Sequence, residues 1–182
     1  MSALSEGLVI AHLGKGIAVE TGDQTILCQT LRKLGTIVVG DRVLISLSSP
    51  EQGRIEQLLP RRSVLHRPSR GDQIRPVAAN IDTIFVVFAV EPECDFLLLD
   101  QYLAICENCN IDAALALNKI DLGCPDSVEQ ELQNYLKLGY NLHRLSANQN
   151  IGLDRLREVL STQTSMLTGQ SGVGKSSLTN AL

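Results

Sequence analysis

The sequence predicts two domains of different class, a small all-β barrel followed by an α/β domain with a parallel, doubly wound sheet. Three observations carry this. Short β-type runs separated by glycines fill residues 7–59. Apolar runs and helical periodicities alternate from residue 80 onward. A glycine-rich stretch, Gly169–Ser176, comes directly after the last apolar run.

In the first part the runs are Leu8–Ile10, Ile17–Glu20, Thr25–Cys28, Arg42–Leu47 and Arg54–Leu58, with Gly14, Gly16, Gly22, Gly35, Gly40 and Gly53 between or beside them. Five short strands at this spacing, with no useful amphipathic helix before residue 96, fit a barrel of the OB type. Residues 60–76 change character. Pro60, Pro68, Pro76 and Gly71 oppose regular structure, so the segment reads as a linker or extended arm. Five of the chain's 16 Lys/Arg lie here: Arg61, Arg62, Arg67, Arg70 and Arg75. One reading makes them phosphate contacts to RNA; the other makes them a solvated linker pairing with the acidic half. No Phe, Tyr or Trp precedes Phe85, so RNA binding by the barrel would use phosphates and shape rather than stacking. The domain boundary is placed at residue 66, giving 1–66 and 67–182.

In the second part Ile84–Val90 is a continuous apolar run, the pattern of a strand covered on both faces. Phe96–Cys106 is apolar at helical spacing, Ala113–Leu117 is a second buried strand, and Ser127–Leu138 a helix. Leu142–Leu145 is a short strand, Leu153–Leu160 a helix, and Ser165–Thr168 the last strand.

Composition agrees. The 182 residues are 44% hydrophobic and 20% charged, ordinary globular usage that excludes disordered, collagen-like and coiled-coil classes. No apolar run approaches the roughly 20 residues of a membrane span, and the N-terminus has no signal-like h-region, so no membrane partner is expected. Five cysteines at positions 28, 94, 106, 109 and 124 do not form a disulfide framework, which points to a reducing cytoplasm. Residues 1–80 hold 10 Lys/Arg against 7 Asp/Glu and residues 81–182 hold 6 against 13, so the first part would face something anionic.

Gly169-Gln170-Ser171-Gly172-Val173-Gly174-Lys175-Ser176 fits G-x-x-x-x-G-K-[ST] in strand–loop–helix context, with Ser177 continuing into the helix. Its backbone N–H groups would surround phosphate oxygens, Lys175 would reach the β- and γ-phosphates, and the Ser176 hydroxyl would ligate Mg²⁺. Asn118-Lys119-Ile120-Asp121, at the end of a strand, chooses the base: Asp121 can accept two hydrogen bonds from guanine N1–H and N2–H₂. Asn118 can tie this loop to the phosphate loop, and the Lys119 stem can pack over the base. Ser146-Ala147, after the next strand, would bring a backbone N–H to guanine O6. Together these indicate GTP and Mg²⁺. Their order is permuted, because in ordinary GTP-binding domains the phosphate loop comes first.

These residues make the chain similar to the RsgA/YjeQ family of small-subunit-dependent GTPases. Further similar stretches are Val39–Val43, Pro60-Arg61 to Arg67-Pro68, Ala79–Asp82 and Leu167–Leu182. The resemblance implies an OB-fold, a circularly permuted P-loop GTPase domain and a C-terminal zinc-binding domain. It implies a factor for late maturation of the small ribosomal subunit, with that subunit and its rRNA as partners and slow GTP hydrolysis stimulated by the subunit. A monomer is expected. Gln101 follows Asp100 where the family usually has arginine. The switch threonine, the D-x-x-G and the Zn²⁺ ligands would follow Leu182. The chain therefore reads as an N-terminal portion of a longer protein, or a gene product cut short, with an incomplete GTPase domain, inactive alone, and with Ser165–Thr168 as an exposed edge. Alternatives are a non-catalytic RNA-binding fragment and a permuted GTPase for the large subunit; the barrel counts against the latter. Cys106-Glu107-Asn108-Cys109 has metal-site spacing but no second pair, so it reads as two helix-end cysteines.

Overall fold

The computed structural model describes residues 4–68 and 74–182. Five strands, β1 (Ser5–Leu13), β2 (Gly16–Thr21), β3 (Gln24–Thr30), β4 (Arg42–Ser49) and β5 (Gln52–Leu58), close a barrel in the order β1-β2-β3-β5-β4. All pairings are antiparallel except β3 with β5. This matches the OB-type expectation. Alternation turns Val9, Val19, Ile26, Cys28, Val43, Ile45 and Ile55 inward, and each is at most 1% exposed. Closure leaves no strand edge among the five.

The described residues within 60–76 form a strand pair rather than the expected linker or extended arm. Strand β6 (Val64–Pro68) pairs antiparallel with β7 (Ile74–Ala79) in a two-stranded sheet. The prolines do not prevent this because of where they fall. Pro68 closes β6, and Pro76 sits opposite His66 beside the register shift at Leu65/His66. A ribbon of two strands also has outer edges where a missing N–H costs little. The compact units of the chain are Met1–Ile81 and Asp82–Leu182, so the hairpin stands with the barrel, 15 residues beyond the boundary placed at residue 66.

The second unit alternates β8 (Thr83–Ala89), α1 (Phe96–Cys109), β9 (Asp112–Asn118), α2 (Asp126–Lys137), β10 (Asn141–Arg144), α3 (Leu153–Leu160), β11 (Ser165–Gly169) and α4 (Lys175–Ala181). Its sheet is parallel throughout, in the order β10-β9-β8-β11. Every residue of β8 is buried, as its unbroken apolar run requires. One core joins Phe85, Val87 and Ala89 to Ala114, Ala116, Leu153, Leu156, Val173 and Leu178. Among the described residues β11 is an edge strand. Asp95 caps α1, its Oδ1 accepting from the N–H of Leu98 at 2.9 Å. The C-x-x-C pair lies within α1. Cys106 points into the core, and burial pushes its thiol up to about 11, the behaviour of a packed side chain rather than a reactive one. No helix among the described residues is long and apolar enough to cross a membrane.

Candidate nucleotide site

Parallel register brings three loops to one end of the sheet. Asn118 ends β9 opposite Ala89, Gly169 ends β11 opposite Val87, and Arg144 ends β10 opposite Leu117, two residues before Ser146. The carboxyl ends of parallel strands are where such sheets bind ligands.

The loop from Gly169 to Gly174 is shaped by backbone angles that side chains resist. Gly174 has φ 93°, and a Cβ there would collide with the Asn118 amide nitrogen. Gly169 has φ 136° and lies so close to the Val87 carbonyl that no Cβ fits. Val173, fully buried, pins the loop from below, while Ser171 and Gly172 remain exposed. Lys175 folds back over the loop, its Nζ donating to the carbonyls of Gly169 at 2.9 Å and Gln170 at 2.7 Å. Ser176 and Ser177 are exposed at the start of α4.

Asn118 is the junction of the three loops. Only 1% exposed, it donates from Nδ2 to the Val173 carbonyl at 2.9 Å and accepts at Oδ1 from the Ala147 N–H at 3.2 Å. Both ends of a buried amide are thereby used, as burial demands. Lys119 adopts the left-handed conformation (φ 62°), and its Nζ donates to the Gly172 carbonyl at 2.9 Å. The Ile120 N–H donates to the Leu145 carbonyl at 3.2 Å, which holds the turn carrying Asp121 against the next strand. The Asp121 carboxylate is exposed. Ser146 is fully buried; its N–H donates to Ile151 and its Oγ accepts from the Gln149 N–H at 3.1 Å. Both N–H groups of Ser146-Ala147 thus have internal partners, a detail the motif did not reveal.

The five arginines have different surroundings. Arg61 clamps Asp41, with Nε to Oδ1 at 2.7 Å and Nη2 to Oδ2 at 2.8 Å, and Nη2 also donates to the Thr36 carbonyl at 2.7 Å. Bonding to Asp41 raises the guanidinium's pKa further, although its partial burial opposes this. Arg62, Arg67 and Arg75 are exposed, and Arg70 lies outside the described residues. Asp41, which is fully buried, and Asn80 are buried polar residues with no assigned role in the sequence reading beyond membership of the stretches Val39–Val43 and Ala79–Asp82.

The RsgA GTPase family matches residues 58–182. A small ribosomal subunit biogenesis GTPase RsgA from Sodalis glossinidius is 42% identical over 97% of this chain, and one from Azotobacter vinelandii is 42% identical over 97%. The chain spans about half the length of these curated relatives, 54% in both cases. Among solved structures, YjeQ from Thermotoga maritima superposes with a TM-score of 0.83 at 32% identity, over 98% of this chain and 65% of that one. YloQ, described as a circularly permuted GTPase, superposes with a TM-score of 0.74 at 28% identity, over 98% of this chain and 64% of that one. By sequence and by architecture, the chain belongs to the RsgA GTPase family.

Proposed function

We propose that this chain forms the barrel and the guanine-nucleotide site of a cytoplasmic GTPase that acts in biogenesis of the small ribosomal subunit. The observation that carries the nucleotide reading is Asn118, whose single buried amide joins the phosphate loop, the N-K-x-D strand end and the Ser146-Ala147 turn. In this reading the backbone of Gly169, Gln170, Ser171, Gly172, Val173 and Gly174 surrounds the phosphates. Lys175 exchanges its carbonyl partners for β- and γ-phosphate oxygens. Ser177 continues the helix from the loop, and Lys119 lies over the base. Ile120 holds the turn, and Ser146 and Ala147 wall the base site through Asn118. Asp121 reads the guanine N1–H and N2–H₂ edge.

The residues fit Mg²⁺ with a triphosphate. Close approach of the backbone at Gly169 and Gly174 leaves no side chain in the cradle, and the exposed Ser176 hydroxyl is the hard oxygen donor such an ion takes. When bound, Mg²⁺ neutralises phosphate charge. This chain's own contribution is to bind and orient.

Asp121→Asn tests the base assignment. Charge-assisted hydrogen bonds contribute roughly 1.5–3 kcal/mol each, so GTP affinity should fall about 10- to 100-fold. XTP should gain over GTP, because its O2 accepts a bond from the new amide. Competition binding with GTP, ATP and XTP is the measurement; equal affinity of the unaltered chain for ATP and GTP would sink the assignment.

A further inference from the structure

The turn that carries Asp121 has no packing of its own. Ile120–Leu122 form a single 3₁₀ turn in which no side chain is buried, Leu122 is exposed, and the space beside Gly123 is open. A carboxylate that reads two N–H donors of a base must nevertheless be held to within about 0.5 Å of its productive position. Something outside the turn has to hold it.

Two consecutive residues at the end of β10 do so, one on each side. In front, the Ile120 N–H donates to the Leu145 carbonyl at 3.2 Å. Behind, the Arg144 guanidinium donates from Nη1 and Nη2 to the two carboxylate oxygens of Glu129, at 2.5 and 2.6 Å. Glu129 lies in the first turn of α2, and its N–H donates to the Pro125 carbonyl at 3.1 Å. The Cys124 thiol bonds to the same carboxylate. Residues 120–129 are thus fastened at both ends to one short length of backbone. That backbone is itself firmly seated. Arg144 pairs with Leu117 of β9, the Leu145 N–H donates to the Leu117 carbonyl at 2.7 Å, and Gly152 packs so closely on the Arg144 carbonyl that no Cβ fits.

The Arg144–Glu129 pair contributes little as a source of stability. Its side chains are 39% and 34% exposed, and pairs open to water gain little against screening and side-chain entropy. Two parallel N–H···O bonds supply direction instead, because they fix the distance and the plane of the carboxylate together. Bonding to Arg144 also holds the Glu129 carboxyl below its ordinary value, so the clamp stays charged at neutral pH.

We propose that Arg144 and Glu129 are positioning residues for guanine selection, holding the Asp121 turn in the orientation that accepts N1–H and N2–H₂ and acting through Asp121 rather than on the base. This rests on the reading of Asp121 as the guanine-selecting residue.

The test is displacement of a fluorescent GTP analogue from the full chain by GTP, ITP and ATP in the presence of Mg²⁺. A held Asp121 accepts two bonds from guanine, one from hypoxanthine and none from adenine. Loosening the turn therefore weakens the three nucleotides unequally. Arg144→Ala and Glu129→Ala should each lower affinity about tenfold for GTP, about threefold for ITP and under about twofold for ATP. Both changes together should cost no more than either alone, because a single clamp is lost only once. Arg144→Lys keeps the charge without the fork and should fall between the parent and the alanine variant. Thermal melting should shift by about 4 °C or less, as for an exposed pair. Equal losses for all three nucleotides would reduce the pair to a structural role and overturn the proposal. Parent ratios of GTP to ITP and of GTP to ATP in both alanine variants would overturn it as well. An unaltered chain that binds GTP and ATP alike overturns the Asp121 reading itself, a result that the parent measurement alone decides.

Discussion

Arg61→Ala lowers the stability of the barrel unit by about 3–5 kcal/mol, the cost of leaving a buried carboxylate without its cation. Asp41 has no exposed surface. It accepts both arms of the Arg61 fork at 2.7 and 2.8 Å and the Val38 N–H at 2.8 Å. With the guanidinium gone, one backbone donor remains for a full negative charge. Arg61→Lys keeps the charge but loses the fork, and should fall between parent and alanine variant. Urea unfolding followed through the barrel reads this directly. A loss below about 1 kcal/mol, the range of exposed ion pairs, would show that water reaches Asp41. The same geometry changes how the basic segment is tested. Neutralising Arg61 together with its neighbours would destabilise the barrel unit as well as remove surface charge, so the two effects are separable only where Arg61 is kept.

Gly174→Ala reduces guanine-nucleotide affinity by roughly 30- to 25,000-fold, about 2–6 kcal/mol at 1.36 kcal/mol per factor of ten. Two costs combine. At φ 93° an alanine carries left-handed backbone strain of about 1–3 kcal/mol. Its Cβ would also displace the Asn118 amide that donates to Val173 at 2.9 Å, and a buried amide left unpaired costs about 1–3 kcal/mol. Because Asn118 also accepts from Ala147, the base-side turn loosens along with the phosphate loop. Titration with a fluorescent GTP analogue, alongside thermal melting, separates lost binding from lost folding. A change in affinity under threefold with an unchanged melt would mean that Asn118 does not couple the loops.

Much of this protein could be read from local pattern. The five barrel strands and the four sheet strands appear as short β-type runs, several of them continuously apolar, between glycines or helical periods, because strand burial imposes its period on neighbouring residues. The Gly169–Ser176 loop and the Asn118–Asp121 turn are legible for a similar reason. Each is a contiguous stretch whose residue types follow one local backbone conformation, so the loop and the turn can be placed without a partner elsewhere.

Tertiary structure decided whatever depends on a distant partner. Pro68, Pro76 and the arginines look like a linker, and only the pairing of β6 with β7 turns them into a ribbon. Arg61 looks like its basic neighbours until Asp41, 20 positions earlier, is brought against it. Asn118 was expected to tie its loop to the Gly169–Ser176 loop, and it does so through the Val173 carbonyl, 55 positions later; that its other end takes the Ala147 N–H appears only in the fold. The physical reason is the same in each case. Burial removes water as a hydrogen-bonding partner, so a polar side chain takes its role from whichever donor or acceptor the folded chain places beside it.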